Sequence, residues 1–234
     1  VANELYFPLC NKITISFQIM QNLGNMDVFV FDFDGTIAHT MHVWALINQQ
    51  VLGEHGVETD IPAYQKQIAG MQMGDVADFT ISKFKLAVPR SDLMLSWKQK
   101  AKEAYQKCNF VKGADDFILK MFEQNKKIGI ATASPTELIE SFFEKHPQIR
   151  KCISAVVSCD DVKKNKPDPA VFTECVRQLG GCKETSCVFE DSLAGMQGAR
   201  NSGCKVVGIL SEPLHKEEKS ELCDLLVEDY SEFV

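Results

Sequence analysis

The amino-acid sequence predicts an α/β fold, a mainly parallel sheet interleaved with helices and interrupted once by a helical insertion. Three observations point there. Short apolar runs rich in β-branched and aromatic residues recur along the chain, as buried strands do. Amphipathic stretches with helical spacing separate most of these runs, and that alternation is the signature of βα units. The rhythm breaks between the first and second runs, where about 75 residues, from Ala38 to Lys112, carry helix-like patterns and no convincing strand.

In chain order, residues 1–25 read as an N-terminal extension, within which Ile13-Thr14-Ile15-Ser16-Phe17 is a short strand or a tethered segment. Val28-Phe29-Val30-Phe31 is the first buried strand, too short and too uniformly apolar for one face of a helix. Residues 38–112 form an α-helical cap inserted into a core of residues 26–37 and 113–234. The last cap helix is the clearest, with Ser91 as its cap, Asp92 at the positive end, and Leu93, Trp97, Ala101, Ala104, Tyr105 and Cys108 along one stripe. That stripe makes Trp97 and Tyr105 core residues. Hinges at Ile37 to Thr40 and Asn109 to Gly113 would let the cap act as a lid on the loop after the first strand. Further strands follow at Lys127-Ile128-Gly129-Ile130-Ala131, Ile153-Ser154-Ala155-Val156-Val157, Cys187-Val188-Phe189 and Val206-Val207-Gly208-Ile209, with Leu225-Leu226-Val227 a weaker sixth. Helices are expected over Thr136 to Glu144 and Pro169 to Leu179, between members of that series.

Composition narrows the functional class. At 234 residues the chain can bury a sizeable core, and 45% hydrophobic with 24% charged content is ordinary for a globular protein. A formal net charge of −7, with no Lys/Arg stripe to offset it, argues against a nucleic-acid partner. The nine cysteines are scattered without CxxC pairs or zinc spacing, so free thiols in a reducing cytoplasm are expected. No apolar stretch reaches the length of a membrane span, and the opening residues lack the pattern of a secretory signal.

Asp32 and Asp34 follow the first strand and straddle one residue, so strand alternation sends both carboxylates to the same side before Gly35 and Thr36 turn the chain. Like charges this close suit a hard metal ion or a shared proton, though the same spacing occurs in a solvated Asp-containing turn. Partners follow the other strands: Ala131-Thr132-Ala133-Ser134 at the end of the second, Asn165-Lys166-Pro167-Asp168-Pro169 after the third, and Glu190-Asp191-Ser192 at the end of the fourth. In a doubly wound sheet the carboxyl ends of parallel strands share one edge, where ligands bind. Two acidic pairs, a hydroxyl and a lysine can therefore converge.

With these four motifs in order, the chain from about Met26 onward resembles the haloacid dehalogenase superfamily, in the subgroup with a helical cap after the first motif. That subgroup includes β-phosphoglucomutase and many sugar-phosphate phosphatases. The resemblance implies a Rossmann-like doubly wound core, Asp32 as nucleophile, Asp34 as general acid and base, Thr132 and Lys166 as phosphate-binding groups, and a magnesium ion. Asp32, the backbone carbonyl of Asp34, and Asp191 would ligate the ion, with Glu190 behind them. It places substrate choice in the cap loop at Gly70, Met71, Gln72 and Met73. Met73 stands where phosphomutases carry an arginine for the substrate's second phosphate; Arg90, Lys83 or Lys85 could replace it. His39 stands where many members have aspartate in the hinge, and it and His42 read either as exposed hinge residues or as substrate contacts. The expected activity is magnesium-dependent hydrolysis of a small phosphate monoester through an aspartyl-phosphate. A phosphomutase and a non-catalytic phospholigand-binding module are the alternatives.

Overall fold

The computed structural model describes residues 23–68, 71, 73–211 and 215–234. Ile13 to Phe17 therefore lie outside the described residues. The chain divides into two compact units: the first runs up to His39 and resumes over Asn109–Thr136 and His146–Val234, while the second takes Thr40–Cys108 and Glu137–Lys145.

Chain order runs β1 (Val28–Phe31), α1 (Val43–Glu54), α2 (Ile61–Ile68), α3 (Met73–Phe84), α4 (Arg90–Tyr105), α5 (Ala114–Glu123), β2 (Lys127–Thr132), α6 (Thr136–Phe143), α7 (Pro147–Arg150) and β3 (Ala155–Ser158). It continues with α8 (Cys159–Val162), α9 (Ala170–Gln178), β4 (Ser186–Glu190), α10 (Leu193–Ser202), β5 (Lys205–Ile209), α11 (Lys216–Leu222) and β6 (Leu225–Val227). All strands pair in parallel, in the order β3-β2-β1-β4-β5-β6. The strand expected at Ile153 begins two residues later, because Ile153 still donates its N–H to the Arg150 carbonyl in the turn that ends α7.

Alternation in β1 explains both faces of the first unit's core. Val28 and Val30 join Val171, Phe172 and Cys175 of α9 with Met196 of α10. Phe29 and Phe31 meet an aromatic layer, in which Phe31 stacks on Phe189 at 4.7 Å and Phe117 and Tyr230 close the other side. All four β1 residues are fully buried, and each such side chain contributes about 1.5–3 kcal/mol. A strand buried on both faces needs helices on both, which is what the βα alternation delivers.

The chain enters β1 at mid-sheet, proceeds outward through β2 and β3, then crosses to β4 on the other side of β1. That reversal leaves a crevice at the carboxyl end of β1, the usual ligand position in such sheets. Backbone pairing ties the two connections to the second unit: His39 N–H donates to the Asn109 carbonyl at 2.9 Å and Val111 N–H to that of Ile37 at 2.8 Å. His39 and His42 are both exposed.

In the second unit α1 packs on α4 through Val43, Ile47 and Val51 on one side and Leu93, Trp97, Ala101 and Tyr105 on the other, each set at a four-residue spacing. Trp97 and Tyr105 are core residues, as their stripe predicts. The capping expectation for Ser91 fails: α4 starts at Arg90 behind Pro89, whose extended backbone (ψ 141°) and carbonyl open the helix, so Ser91 already lies inside it and donates to Asp92 at 2.9 Å. Among the described residues no helix is long and apolar enough to cross a membrane, and the described cysteines are free thiols.

Candidate active site

Register places the acidic residues side by side. Phe31 of β1 pairs with Phe189 of β4, so Asp32 and Glu190, the next residue on each strand, share the sheet's carboxyl edge; the Asp32 N–H donates to the Phe189 carbonyl at 2.9 Å. Beyond Asp32 the chain must turn without obstructing Asp191. Gly35 allows this twice over: its φ is 81°, and a Cβ there would lie 2.3 Å from Asp191 Oδ2. The buried Thr36 hydroxyl donates to Asp191 Oδ1 at 3.4 Å, and Ser211, just past β5, donates to Asp191 Oδ2 at 2.8 Å.

Lys166 reaches the same point from the loop between α8 and α9. Its ammonium donates to Asp32 Oδ1 at 2.5 Å and Glu190 Oε1 at 2.8 Å, with 8% of its side chain exposed. It also sits over the Phe172 ring, 4.9 Å from the centroid, so its stem is packed while its head is paired. Glu190 Oε2 accepts from the Ser192 N–H at 2.7 Å and the Ser192 hydroxyl at 3.0 Å, and Ser192 in turn caps α10 through the Gly195 N–H. Gly195 lets the helix approach, since a Cβ there would lie 1.9 Å from Glu190 Oε1.

Asp34 turns elsewhere. Its Oδ2 accepts from the Ser134 hydroxyl at 2.6 Å, while the Ser134 N–H donates to Thr132 Oγ1 at 2.9 Å. Thr132 is fully buried at the end of β2, and Asp34 and Ser134 are partly exposed.

Oxygens of Asp32, Glu190 and Asp191 all lie within 4.8 Å of one another. Lys166 is the cation in contact with two of these three carboxylates, which leaves negative charge in excess. Burial pushes the Asp32 carboxyl well up; Lys166 opposes this, and Glu190, Asp191 and Asp34 add to it. Burial and then Glu190 push Asp191 up to about 7, against donation from Ser211. Burial disfavours the charged form of Lys166, yet Asp32 and Glu190 outweigh it and raise the ammonium's pKa. Crowded, desolvated, all-oxygen donors with uncompensated charge fit a hard divalent cation.

That charge excess predicts a pH effect on stability. Where the folded pKa of Asp191 lies above its ordinary value near 3.8, the folded state binds the proton more tightly, so stability declines as pH rises through that interval and the contribution is gone above about 7. Asp168 and Asp229, held below the ordinary range, contribute a constant amount above about pH 5. Chelator-treated protein is therefore expected to melt at a lower temperature near pH 8 than near pH 5.5, and added magnesium to raise the pH 8 value. Equal melting temperatures across the interval would contradict the charge excess.

Of the residues singled out in the sequence, Asp32, Lys166, Glu190 and Asp191 form one buried cluster, and Asp34 and Thr132 are linked through Ser134. In the second unit Met71 is 40% exposed and Met73 opens α3, while Gly70 and Gln72 lie outside the described residues. Arg90 pairs with Asp78 at 3.2 Å, and Lys83 bonds Gln67. Thr36, Ser134 and Ser192 lie within the motif runs and Ser211 outside them, and sequence reasoning assigns none of the four a role in the site. Each stands within three residues of a strand end or an acidic motif, a signal too common among serines and threonines to select them.

Residues 29–209 match the family model described as haloacid dehalogenase-like hydrolase. The fructose-1-phosphate phosphatase of Escherichia coli strain K12 is 27% identical over 192 residues, covering 77% of this chain and 94% of that protein. A bifunctional riboflavin kinase/FMN phosphatase of Arabidopsis thaliana is 26% identical over 184 residues, which is 79% of this chain and 48% of the relative, so the chain spans about half that protein's length. Among solved structures, CbbY from Rhodobacter sphaeroides in complex with phosphate has a TM-score of 0.72 at 19% identity, covering 88% of this chain and 95% of its own, a likeness of fold.

Proposed function

The chain belongs to the haloacid dehalogenase-like hydrolase family, and on that premise we propose that it is a magnesium-dependent phosphatase that hydrolyses a small phosphate monoester, a sugar, polyol or nucleoside phosphate, through an aspartyl-phosphate. The observation that carries this reading is the contact of Lys166 with both Asp32 and Glu190 at the carboxyl edge of the sheet, beside Asp191. The E. coli relative acts on fructose-1-phosphate and the Arabidopsis relative on FMN, as they are named, which supports a small phosphorylated metabolite.

Asp32, at a strand tip and charge-balanced by Lys166, attacks the phosphorus. The bond to the ester oxygen breaks, Asp34 gives that oxygen a proton, and the alcohol leaves. A water then attacks the same phosphorus and Asp34 takes its proton. The bond to Asp32 breaks, inorganic phosphate departs and the free carboxylate is restored. Lys166 and the Thr132 hydroxyl bind the equatorial oxygens, where positioned charge lowers the barrier most. Magnesium, held by Asp32, the Asp34 backbone carbonyl and Asp191, would supply positive charge to the phosphoryl group. Glu190 orients Lys166 and Ser192 behind that set.

A panel of sugar, polyol, nucleoside and flavin monophosphates tests the reading, each with magnesium and with excess chelator. Hydrolysis of at least one ester that depends on magnesium is expected. If folded protein with magnesium releases no phosphate from any ester, including an activated aryl phosphate, the phosphatase assignment is wrong.

A further inference from the structure

Asp34 differs from the other acidic residues in where its carboxylate points. It is absent from the close group of Asp32, Glu190 and Asp191, and its Oδ2 instead receives the Ser134 hydroxyl at 2.6 Å. The two residues are 100 positions apart, so the contact results from tertiary packing. Ser134 is itself held, since its N–H donates to Thr132 Oγ1 at 2.9 Å and Thr132 is buried at the end of β2. A chain of two hydrogen bonds therefore runs from the strand tip through Ser134 to one named oxygen of Asp34.

We infer that Ser134 is a positioning residue that holds the Asp34 carboxyl in the orientation from which it protonates the departing oxygen. The inference rests on the proposed role of Asp34 as general acid. A carboxyl group rotates about its Cβ–Cγ bond, and a proton carried on a rotating group is delivered only in the fraction of time it faces the leaving oxygen. A donor anchored to Oδ2 sets that rotation. At 2.6 Å the contact is at the short end of the O–H···O range, so it constrains the rotation. Ser134 itself exchanges no proton with substrate: the ester oxygen receives its proton from Asp34, and the Ser134 O–H bond stays intact.

The test uses the dependence of phosphoryl transfer on the leaving group. A dinitrophenolate departs without protonation, whereas an alkoxide requires it, so loss of a correctly aimed acid slows an alkyl phosphate and spares 2,4-dinitrophenyl phosphate. The quantity to compare is kcat/KM, which reports steps up to the first P–O cleavage. Ser134→Ala is expected to lower it about tenfold for the alkyl ester and by less than about twofold for the dinitrophenyl ester, as suits loss of one positioning hydrogen bond. Ser134→Thr, which keeps the hydroxyl, should recover most of the alkyl-ester rate. Asp34→Asn should show the same selectivity to a larger extent.

Equal losses on both esters for Ser134→Ala, or no loss on either, would overturn the positioning role. If Asp34→Asn shows the leaving-group selectivity and Ser134→Ala does not, the inference fails and the proposed mechanism stands. If Asp34→Asn slows both esters alike, the acid role of Asp34 fails first and the inference with it.

Discussion

Asp32→Asn is expected to reduce turnover to background, a loss of about 10⁴-fold or more, because a carboxamide keeps the shape and cannot serve as the proposed nucleophile. Fold and activity should separate in this variant. The carbonyl oxygen of Asn can still accept from Lys166, as Asp32 Oδ1 does at 2.5 Å, and one of the crowded acidic charges is gone. Burial already disfavours the ionised form of Asp32, Lys166 opposing and Glu190, Asp191 and Asp34 adding, so removing it relieves the chelator-treated protein. Its melting temperature near pH 8 should equal or exceed that of the parent. Wild-type protein quenched in acid during turnover should carry phosphate on the Asp32 peptide, and the variant none. Turnover above about a hundredth of wild type in Asp32→Asn would remove Asp32 from the role of nucleophile.

Lys166→Met should be damaging for both stability and activity. Methionine keeps much of the stem volume against Phe172 and deletes the charge that touches Asp32 and Glu190. Breaking a buried ion pair from one side costs about 3–5 kcal/mol, since the stranded charge stays desolvated. The carboxyls can escape that cost by taking up protons. Their folded-state pKa values then lie above the unfolded ones, so the folded state binds more protons and the penalty grows with pH. The melting deficit should accordingly be largest near pH 8 and shrink toward about pH 5, and magnesium should recover part of it. Activity is expected to fall by about 10²–10³-fold, the loss typical of one donor to the developing charge. A chelator-treated variant that melts like wild type at pH 8 would show that Lys166 does not balance the acidic cluster.

The fold was largely legible because its signals are local. Val28 to Phe31 reads as a strand from four consecutive residues, and β1 covers the same four. Leu225 to Val227, the weakest run, likewise matches β6. Local signals also mislead at element ends. Ser91 has the chemistry of a cap, yet Pro89 and its carbonyl start α4 earlier, because a helix begins where the backbone first turns rather than at the best side chain.

The strands, their alternation with helices, and the acidic, hydroxyl and lysine residues that follow them are readable from short segments, because hydrophobic period and residue chemistry are local properties. Which side chain holds which is a matter of tertiary packing. Lys166 meets Asp32 across 134 positions, Thr36 meets Asp191 across 155, and Ser134 meets Asp34 across 100. Asp32 and Asp34, alike in sequence and expected on one side of the strand, end up with different partners, one in the charged cluster with Lys166 and the other on a serine hydroxyl. A hydrogen bond depends on ångström-scale distances between groups that the packing of a whole sheet brings together, and no local period encodes those distances.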